Sequence, residues 1–146
     1  MITFKKIFLD DLNNLAVLYA QTFNAPPWND KWTTELAAIR LRQMINTPDG
    51  FGLCAYDCDT LVGAVIGAYE QFYDGVVYNL KEFWVKNDTR RQGIGSKLYK
   101  QLELQLKENN VKNIFLITSR SEETLGFYAH QGIYENRFMT FLSKDI

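Results

Sequence analysis

The most constraining stretch of the chain is Phe83-Trp84-Val85-Lys86-Asn87-Asp88-Thr89-Arg90-Arg91-Gln92-Gly93-Ile94-Gly95-Ser96-Lys97-Leu98. An apolar strand ends at Val85, a short polar loop follows, and two glycines open directly into a helix. The first turn of a helix leaves backbone N–H groups without intrahelical partners, and the helix dipole adds partial positive charge there. The glycines let a ligand approach the backbone, and Arg90, Arg91 and Lys97 add charge, so the turn reads as a phosphate cradle. An apolar run at residues 114–118 follows the helix, which makes the region a βαβ unit with its two strands parallel. A chain built on such a unit must fold as a sheet with helices packed on it.

The remaining sequence narrows what that sheet can do. With 146 residues, 47% of them hydrophobic, the chain is expected to fold as a single domain over residues 1–146 with its own core. A net charge of −1 offers no general basic field for nucleic acid or an anionic membrane. No apolar run approaches the roughly 20 residues that span a bilayer. The start, Met1-Ile2-Thr3-Phe4-Lys5-Lys6, lacks the pattern of a signal peptide, so a cytoplasmic location is expected. Cys54 and Cys58 then read as buried free thiols in a reducing compartment. His130 is the single histidine, so a zinc site would need carboxylates and any Ser-His or Cys-His nucleophile would need that one ring. No metal is expected, and hydrolase chemistry is disfavoured.

Taken in order, residues 2–8 read as a strand, and Asp10 or Asp11 caps a helix carrying Leu12, Leu15, Ala16, Tyr19 and Phe23 at three-to-four spacing. Pro26 and Pro27 break it in a loop that also holds Trp28 and Trp32. That loop is either pinned to the core by its aromatics or forms a stiff wall over a substrate pocket. Thr33 or Thr34 starts a second helix reaching about Asn46. Residues 51–57, 61–72 and 76–85 form an antiparallel meander in which Gly63 and Gly67 mark close approaches. The helix at 93–109 buries Ile94, Leu98, Leu102 and Leu106. Ser121 caps a helix at 122–130 that Gly132 terminates, and the alternation over 134–144 predicts a last strand closing the sheet.

The glycine turn is not a dinucleotide fingerprint, because Leu98 occupies the third glycine position, and no Walker loop is present. The motif Arg90-x-x-Gly93-x-Gly95 after a strand ending in Val85 instead resembles the signature of the GNAT superfamily, the Gcn5-related N-acetyltransferases. The downstream Leu125-Gly126-Phe127-Tyr128-Ala129-His130-Gln131-Gly132-Ile133 is similar to the second signature of that family, with Ile133 in place of the usual aromatic. The resemblance covers the chain well from about Leu61 onward and the first 50 residues in outline. It implies a mixed, mostly antiparallel α/β (α+β) sheet of six to seven strands flanked by about four helices.

Functionally, the resemblance implies an acetyl-CoA-dependent N-acetyltransferase acting on a primary amine of a small molecule, peptide or protein. The backbone of Arg91, Gln92, Gly93, Ile94, Gly95 and Ser96 would hold the pyrophosphate of acetyl-CoA, with Arg90, Arg91 and Lys97 near the phosphates. Phe83, Trp84 and Val85 would bond the pantetheine arm, where a bulge opens the family's sheet, and an amide near Phe83 or Trp84 would polarise the acetyl carbonyl. Ser121 stands where many members carry asparagine, and Ser121 and Phe127 are counted among the cofactor residues. Tyr128 matches the family's general acid, a phenol of ordinary pKa about 10 suited to protonating a thiolate. Glu82 is the first candidate for the base, with Glu70 and Asp74 as alternatives. Trp28, Glu70, Phe72 and Asp74 are expected at the acceptor, in a mixed aromatic and acidic pocket. The competing reading is a catalytically silent acyl-CoA-binding or sensing module on the same fold. Dimers are common in the family, so a homodimer belongs to what the resemblance implies.

Overall fold

A computed structural model describes residues 1–89 and 92–146. Arg90 and Arg91, two of the residues expected at the phosphates, lie outside the described residues. The chain divides into two compact units, Met1–Phe115 and Leu116–Ile146, which are taken one at a time.

The first unit carries the sheet, whose strands are β1 (Ile2–Lys6), β2 (Gly50–Asp57), β3 (Thr60–Phe72), β4 (Gly75–Val85) and β5 (Val111–Leu116), in spatial order β1-β2-β3-β4-β5. The first four pair antiparallel. Helices α1 (Leu12–Asn24) and α2 (Thr34–Ile45) follow β1, and α3 (Ile94–Glu108) joins β4 to β5. Local chemistry explains the ends. Thr33 caps α2 by accepting from the Leu36 N–H at 3.1 Å, and Asp11 accepts the Phe8 N–H at 2.8 Å where the chain leaves β1.

One face of the sheet packs on α1 and α2. Leu15, Ala16, Tyr19, Ala37 and Leu41 meet Cys54, Ala64, Ile66 and Trp84 there in one continuous core. The other face packs on α3 through the buried Leu98, Leu102 and Leu106. Between β3 and β4 the register slips: Ile66 faces Glu82 but Gly67 faces Leu80, so Lys81 is an extra residue in β4. A side chain two places along a strand normally returns to the same face. The bulge at Lys81 breaks that rule, turning Tyr78 and Leu80 to the α3 side and Glu82 and Trp84 to the α1–α2 side.

The two glycines expected to mark close approaches do so. A Cβ on Gly67 would sit 2.6 Å from the Tyr78 ring and 2.3 Å from the Asn79 carbonyl oxygen. A Cβ on Gly63 would sit 3.0 Å from the Trp84 carbonyl oxygen. The space over Gly67 is what lets Tyr78 cross the sheet and donate from its hydroxyl to the Phe51 carbonyl at 2.7 Å.

The second unit holds helix α4 (Glu122–His130), capped by Ser121, whose hydroxyl accepts from the Thr124 N–H at 3.2 Å. Gly132, at φ +84°, ends it, with the Ile133 N–H returning to the Tyr128 carbonyl at 2.9 Å. The strand expected over 134–144 does not form, so among the described residues the sheet has five strands rather than six to seven. Alternation makes a strand only when a neighbour supplies ladder hydrogen bonds and buries one face. Here the Phe138 N–H turns back to Asn136 Oδ1 at 2.8 Å, Arg120 pairs with Glu135, and Phe138 and Leu142 are exposed.

The thiols also depart from expectation in one respect. Both are free, but only Cys54 is buried, while Cys58 is exposed in the β2–β3 turn with φ 53°. Burial first, and then the Asp11 charge, push the Cys54 thiol up to about 12.

Candidate active site

The glycine turn has the geometry its sequence suggests. Gly93 adopts a left-handed φ of 75° at the N-cap of α3 and, lacking a side chain, cannot cap the helix itself. A Cβ added at Gly93 would meet nothing within 4 Å. The conformation therefore selects glycine, and the backbone is open to a ligand on that side. Gln92 and Lys97 are exposed beside it, and Gly95 and Ser96 are half-buried in the first turn. The Lys97 N–H already bonds the Gly93 carbonyl at 3.0 Å, which closes the first helical turn.

Upstream, Phe83 and Val85 share the α3 face and are half-buried, while Trp84 points to the other side and is 2% exposed. Trp84 belongs to an aromatic cluster. Its ring lies 5.1 Å from Tyr19, edge-on, and 6.5 Å from Phe23, and Trp32 and Trp28 continue the cluster at 5.1 Å from Tyr19 and Phe23 respectively. The buried Trp84 Nε1 and Asn87 Oδ1 make no hydrogen bond among the described residues. Asn87 Nδ2 donates to the Thr22 carbonyl at 3.4 Å, at the seam between α1 and the end of β4.

The loop between α1 and α2 is fastened rather than loose. Asn24 accepts the Trp32 N–H at 2.7 Å and donates to the Trp32 carbonyl at 2.8 Å, while the Trp32 indole donates to Asp30 at 3.1 Å. Its aromatics pin the loop to the core, and Trp28 remains 37% exposed.

Glu82 meets the aromatic cluster at Tyr19. Its Oε1 accepts from Arg40 Nε at 2.8 Å, Arg40 Nη2 at 2.5 Å and the Tyr19 hydroxyl at 3.1 Å. Burial and then the Glu82 charge raise the Tyr19 phenol far above its ordinary value, so it stays a donor. Burial works against the Arg40 cation, but the Glu82 carboxylate outweighs it and the net shift is upward. Tyr19 and Arg40 were not among the residues expected from sequence. The available signal was position, since Arg40 stands three residues after Ala37 and four before Met44, on the buried stripe of α2. A charge there requires an acidic partner.

The other expected acceptor residues are not gathered around Glu82. Phe72 and Asp74 lie at the β3–β4 hairpin tip, about 20 Å away along the strands at the usual rise per residue. Asp74 is paired with Lys112 of β5, and Glu70 accepts from Asn79 Nδ2 at 3.0 Å. A cavity of about 570 Å³, bordered by Lys6, Phe51, Tyr69, Gln105 and Asn109, opens on the α3 side of the sheet. It therefore does not adjoin Glu82 or Trp84. No group of histidine, cysteine and acidic side chains among the described residues could hold a metal ion, and no helix among them is long and apolar enough to cross a membrane.

In the second unit, Tyr128 is 9% exposed near the end of α4, with its ring 5.2 Å from that of Phe127 and nearly perpendicular to it.

The model of the acetyltransferase (GNAT) family matches residues 10–133. The chain belongs to the GNAT family. Solved structures agree in fold. A possible acetyltransferase from Clostridium difficile 630 superposes with a TM-score of 0.84 at 15% identity, covering 100% of this chain and 99% of that one. The ribosomal-protein-alanine N-acetyltransferase of Brucella melitensis biovar Abortus 2308 gives 0.77 at 18%, covering 99% and 100%. An aminoglycoside acetyltransferase from an uncultured soil metagenomic sample, in complex with trehalose, gives 0.76 at 18%, covering 99% and 97%. No curated protein matches the chain. GNAT members use acetyl-CoA as cosubstrate, and the open glycine turn at the start of α3 suits its pyrophosphate.

Proposed function

We propose that this protein is an acetyl-CoA-dependent N-acetyltransferase that modifies a primary amine. The observation that supports it is the left-handed Gly93 turn between β4 and α3 in a chain that belongs to the GNAT family. The amides of residues 91–96 hold the pyrophosphate, with Arg90, Arg91 and Lys97 adding charge. Phe83, Trp84 and Val85 align the pantetheine arm by strand-like bonds. Ser121 and Phe127 complete the cofactor residues.

Glu82 faces the acceptor amine. The ammonium gives up one proton through Glu82 and water to solvent, and the neutral nitrogen forms the new C–N bond as the C–S bond breaks. Tyr128 then donates its phenolic proton to the departing thiolate and regains one from the nitrogen. An N-acetylated amine, free coenzyme A and one released proton account for all atoms.

Turnover and cofactor binding separate this reading from a silent acyl-CoA module. Tyr128→Phe is expected to lower kcat at least tenfold, about 1.4 kcal/mol of barrier, with acetyl-CoA affinity little changed. Unchanged turnover in that variant removes Tyr128 from the role. Tight acetyl-CoA binding by the wild type, with no acetyl transfer to any amine in a broad panel, favours the silent module.

A further inference from the structure

The three acidic groups that the sequence offers for the base or the acceptor, and Asp30 with them, are already engaged by the protein itself. Asp30 accepts the Trp32 indole, Glu70 accepts Asn79, Asp74 pairs with Lys112, and Glu82 holds Arg40 and Tyr19. Asp74 and Glu82 are ion-paired, whereas Asp30 and Glu70 accept only from neutral donors. At Glu82 one place offers groups of both signs.

All three donors to Glu82 converge on Oε1, and Oε2 makes no hydrogen bond among the described residues. Arg40 uses Nε and Nη2 on that oxygen. A guanidinium has a second edge, Nη1 with Nη2, that can hold a planar carboxylate through two parallel bonds. The Arg40 side chain keeps 41% of its surface exposed and that of Glu82 12%, so the pair is reachable while its geometry is set by Tyr19. Among the described residues, a carboxylate oxygen without a donor thus belongs to the same ion pair as a guanidinium edge without an acceptor. An α-amino acid likewise carries an ammonium and a carboxylate, on one carbon.

Apolar surface is exposed on the same helix as Arg40 and at the far end of the Tyr19 aromatic cluster. Leu36, one helical turn before Arg40, is 51% exposed, and Trp28 is 37% exposed at the end of the aromatic cluster that begins at Tyr19. The clasp between Asn24 and Trp32 holds this wall in place. Rigid aromatic surface beside a fixed ion pair favours an amine with an apolar or aromatic body over a flexible polyamine.

From this we infer that the acceptor is a free α-amino acid with an apolar or aromatic side chain, its ammonium on Glu82 Oε2 and its carboxylate on the outer edge of Arg40. The assignment rests on the acetyltransferase reading for its reaction, but the binding it claims can be measured without turnover.

The test uses the full-length protein with acetyl-CoA and four acceptor types: phenylalanine and leucine, phenylalaninamide, phenethylamine, and spermidine. Products are quantified by mass spectrometry, and binding of the same compounds in the presence of coenzyme A is measured by calorimetry. The expected result is a kcat/KM for phenylalanine at least tenfold above those for phenylalaninamide and phenethylamine, expressed mainly in KM, with spermidine poorest. Arg40→Gln is expected to reduce the ratio of phenylalanine to phenethylamine to within threefold, whatever its effect on absolute rates. Arg40→Lys, which keeps the charge but not the fork, should give an intermediate ratio.

If the amide or the decarboxylated amine is acetylated as well as the amino acid, the inference is wrong and the acetyltransferase reading stands. If nothing is acetylated but phenylalanine binds at least tenfold more tightly than phenethylamine, the reaction fails and the recognition stands. Neither transfer nor selective binding overturns the inference, and the acetyltransferase reading falls with it only if a broad amine panel also gives no transfer. The wild-type comparison decides the matter even if the Arg40 variants do not fold.

Discussion

On the α3 side of the sheet, β4 contributes Tyr78 and Leu80 to a face whose helix buries Leu98, Leu102 and Leu106, and one crossing hydrogen bond ties Tyr78 to β2. On the α1–α2 side the same strand contributes Glu82 and Trp84, which enter an aromatic cluster and a three-residue polar network. The two faces are separated by a single extra residue, Lys81. The α3 face is held mainly by burial, with its polar contacts confined to neutral groups such as the Tyr78 hydroxyl. The aromatic face holds a charged pair, which is costly to bury and is retained where each member is satisfied. The difference teaches that one strand can serve as core on one side and as a chemical platform on the other, provided that its alternation is broken once.

Substitutions can break or sharpen that contrast. The largest effect is expected at the crossing point. Gly67→Val places methyl groups on a backbone position whose Cβ alone would already stand 2.3 Å from the Asn79 oxygen. No soluble, cooperatively folded protein is expected, as judged by circular dichroism and a thermal scan. A normal melt would mean that Tyr78 does not cross the sheet there.

Next, Trp84→Ala should cost about 3–5 kcal/mol in urea unfolding, because it empties a fully buried aromatic site. Leu102→Ala, its counterpart on the α3 side, should cost about 2–5 kcal/mol. Only the Trp84 variant should also loosen the α1–α2 wall, which is readable as faster hydrogen exchange over residues 19–32. Equal protection in both variants would erase the functional distinction between the faces.

A smaller loss separates hydrogen bonding from packing on the α3 side. Tyr78→Phe keeps the ring and removes the donor to the buried Phe51 carbonyl, so a cost of about 1–3 kcal/mol is expected.

The smallest effect lies away from both faces, at the hairpin tip. The hydrogen bond and charge of Lys112 hold the Asp74 carboxyl below its ordinary value. A lowered carboxyl adds stability above its unfolded pKa, about 3.9, and loses it as pH falls through the folded value. Lys112→Ala should therefore melt slightly below the wild type at neutral pH, and the two should converge in strong acid. Because both groups are solvent-exposed, the difference should also shrink in high salt.

Much of the fold was legible because it is written in local patterns. Three-to-four spacing marked α1, α2 and α3, Ser121 and Thr33 or Thr34 marked helix starts, and the glycines at 63 and 67 marked close approaches. The apolar run expected at 114–118 begins three residues earlier, since Val111 already pairs as strand after the left-handed Asn110. The expected strand at 134–144 shows the limit, because alternation signals the capacity to pair and not the presence of a partner.

The candidate site divides in the same way. Gly93 at the head of α3 could be read from sequence, since a left-handed residue before a helix is a local demand that glycine meets. The partners of Glu82 could not. Tyr19 and Arg40 stand 63 and 42 residues from it, and the periodicity of β4 by itself gives no sign of the bulge at Lys81. The sequence by itself determined the elements, the glycine turn and the family signature, all of which depend on neighbours within a few residues. Only the tertiary structure decided which face Glu82 occupies, that Arg40 and Tyr19 engage one of its oxygens, and that Asp30, Glu70 and Asp74 are spent elsewhere. Those outcomes depend on strand register and helix packing, where a shift of one residue changes every partner.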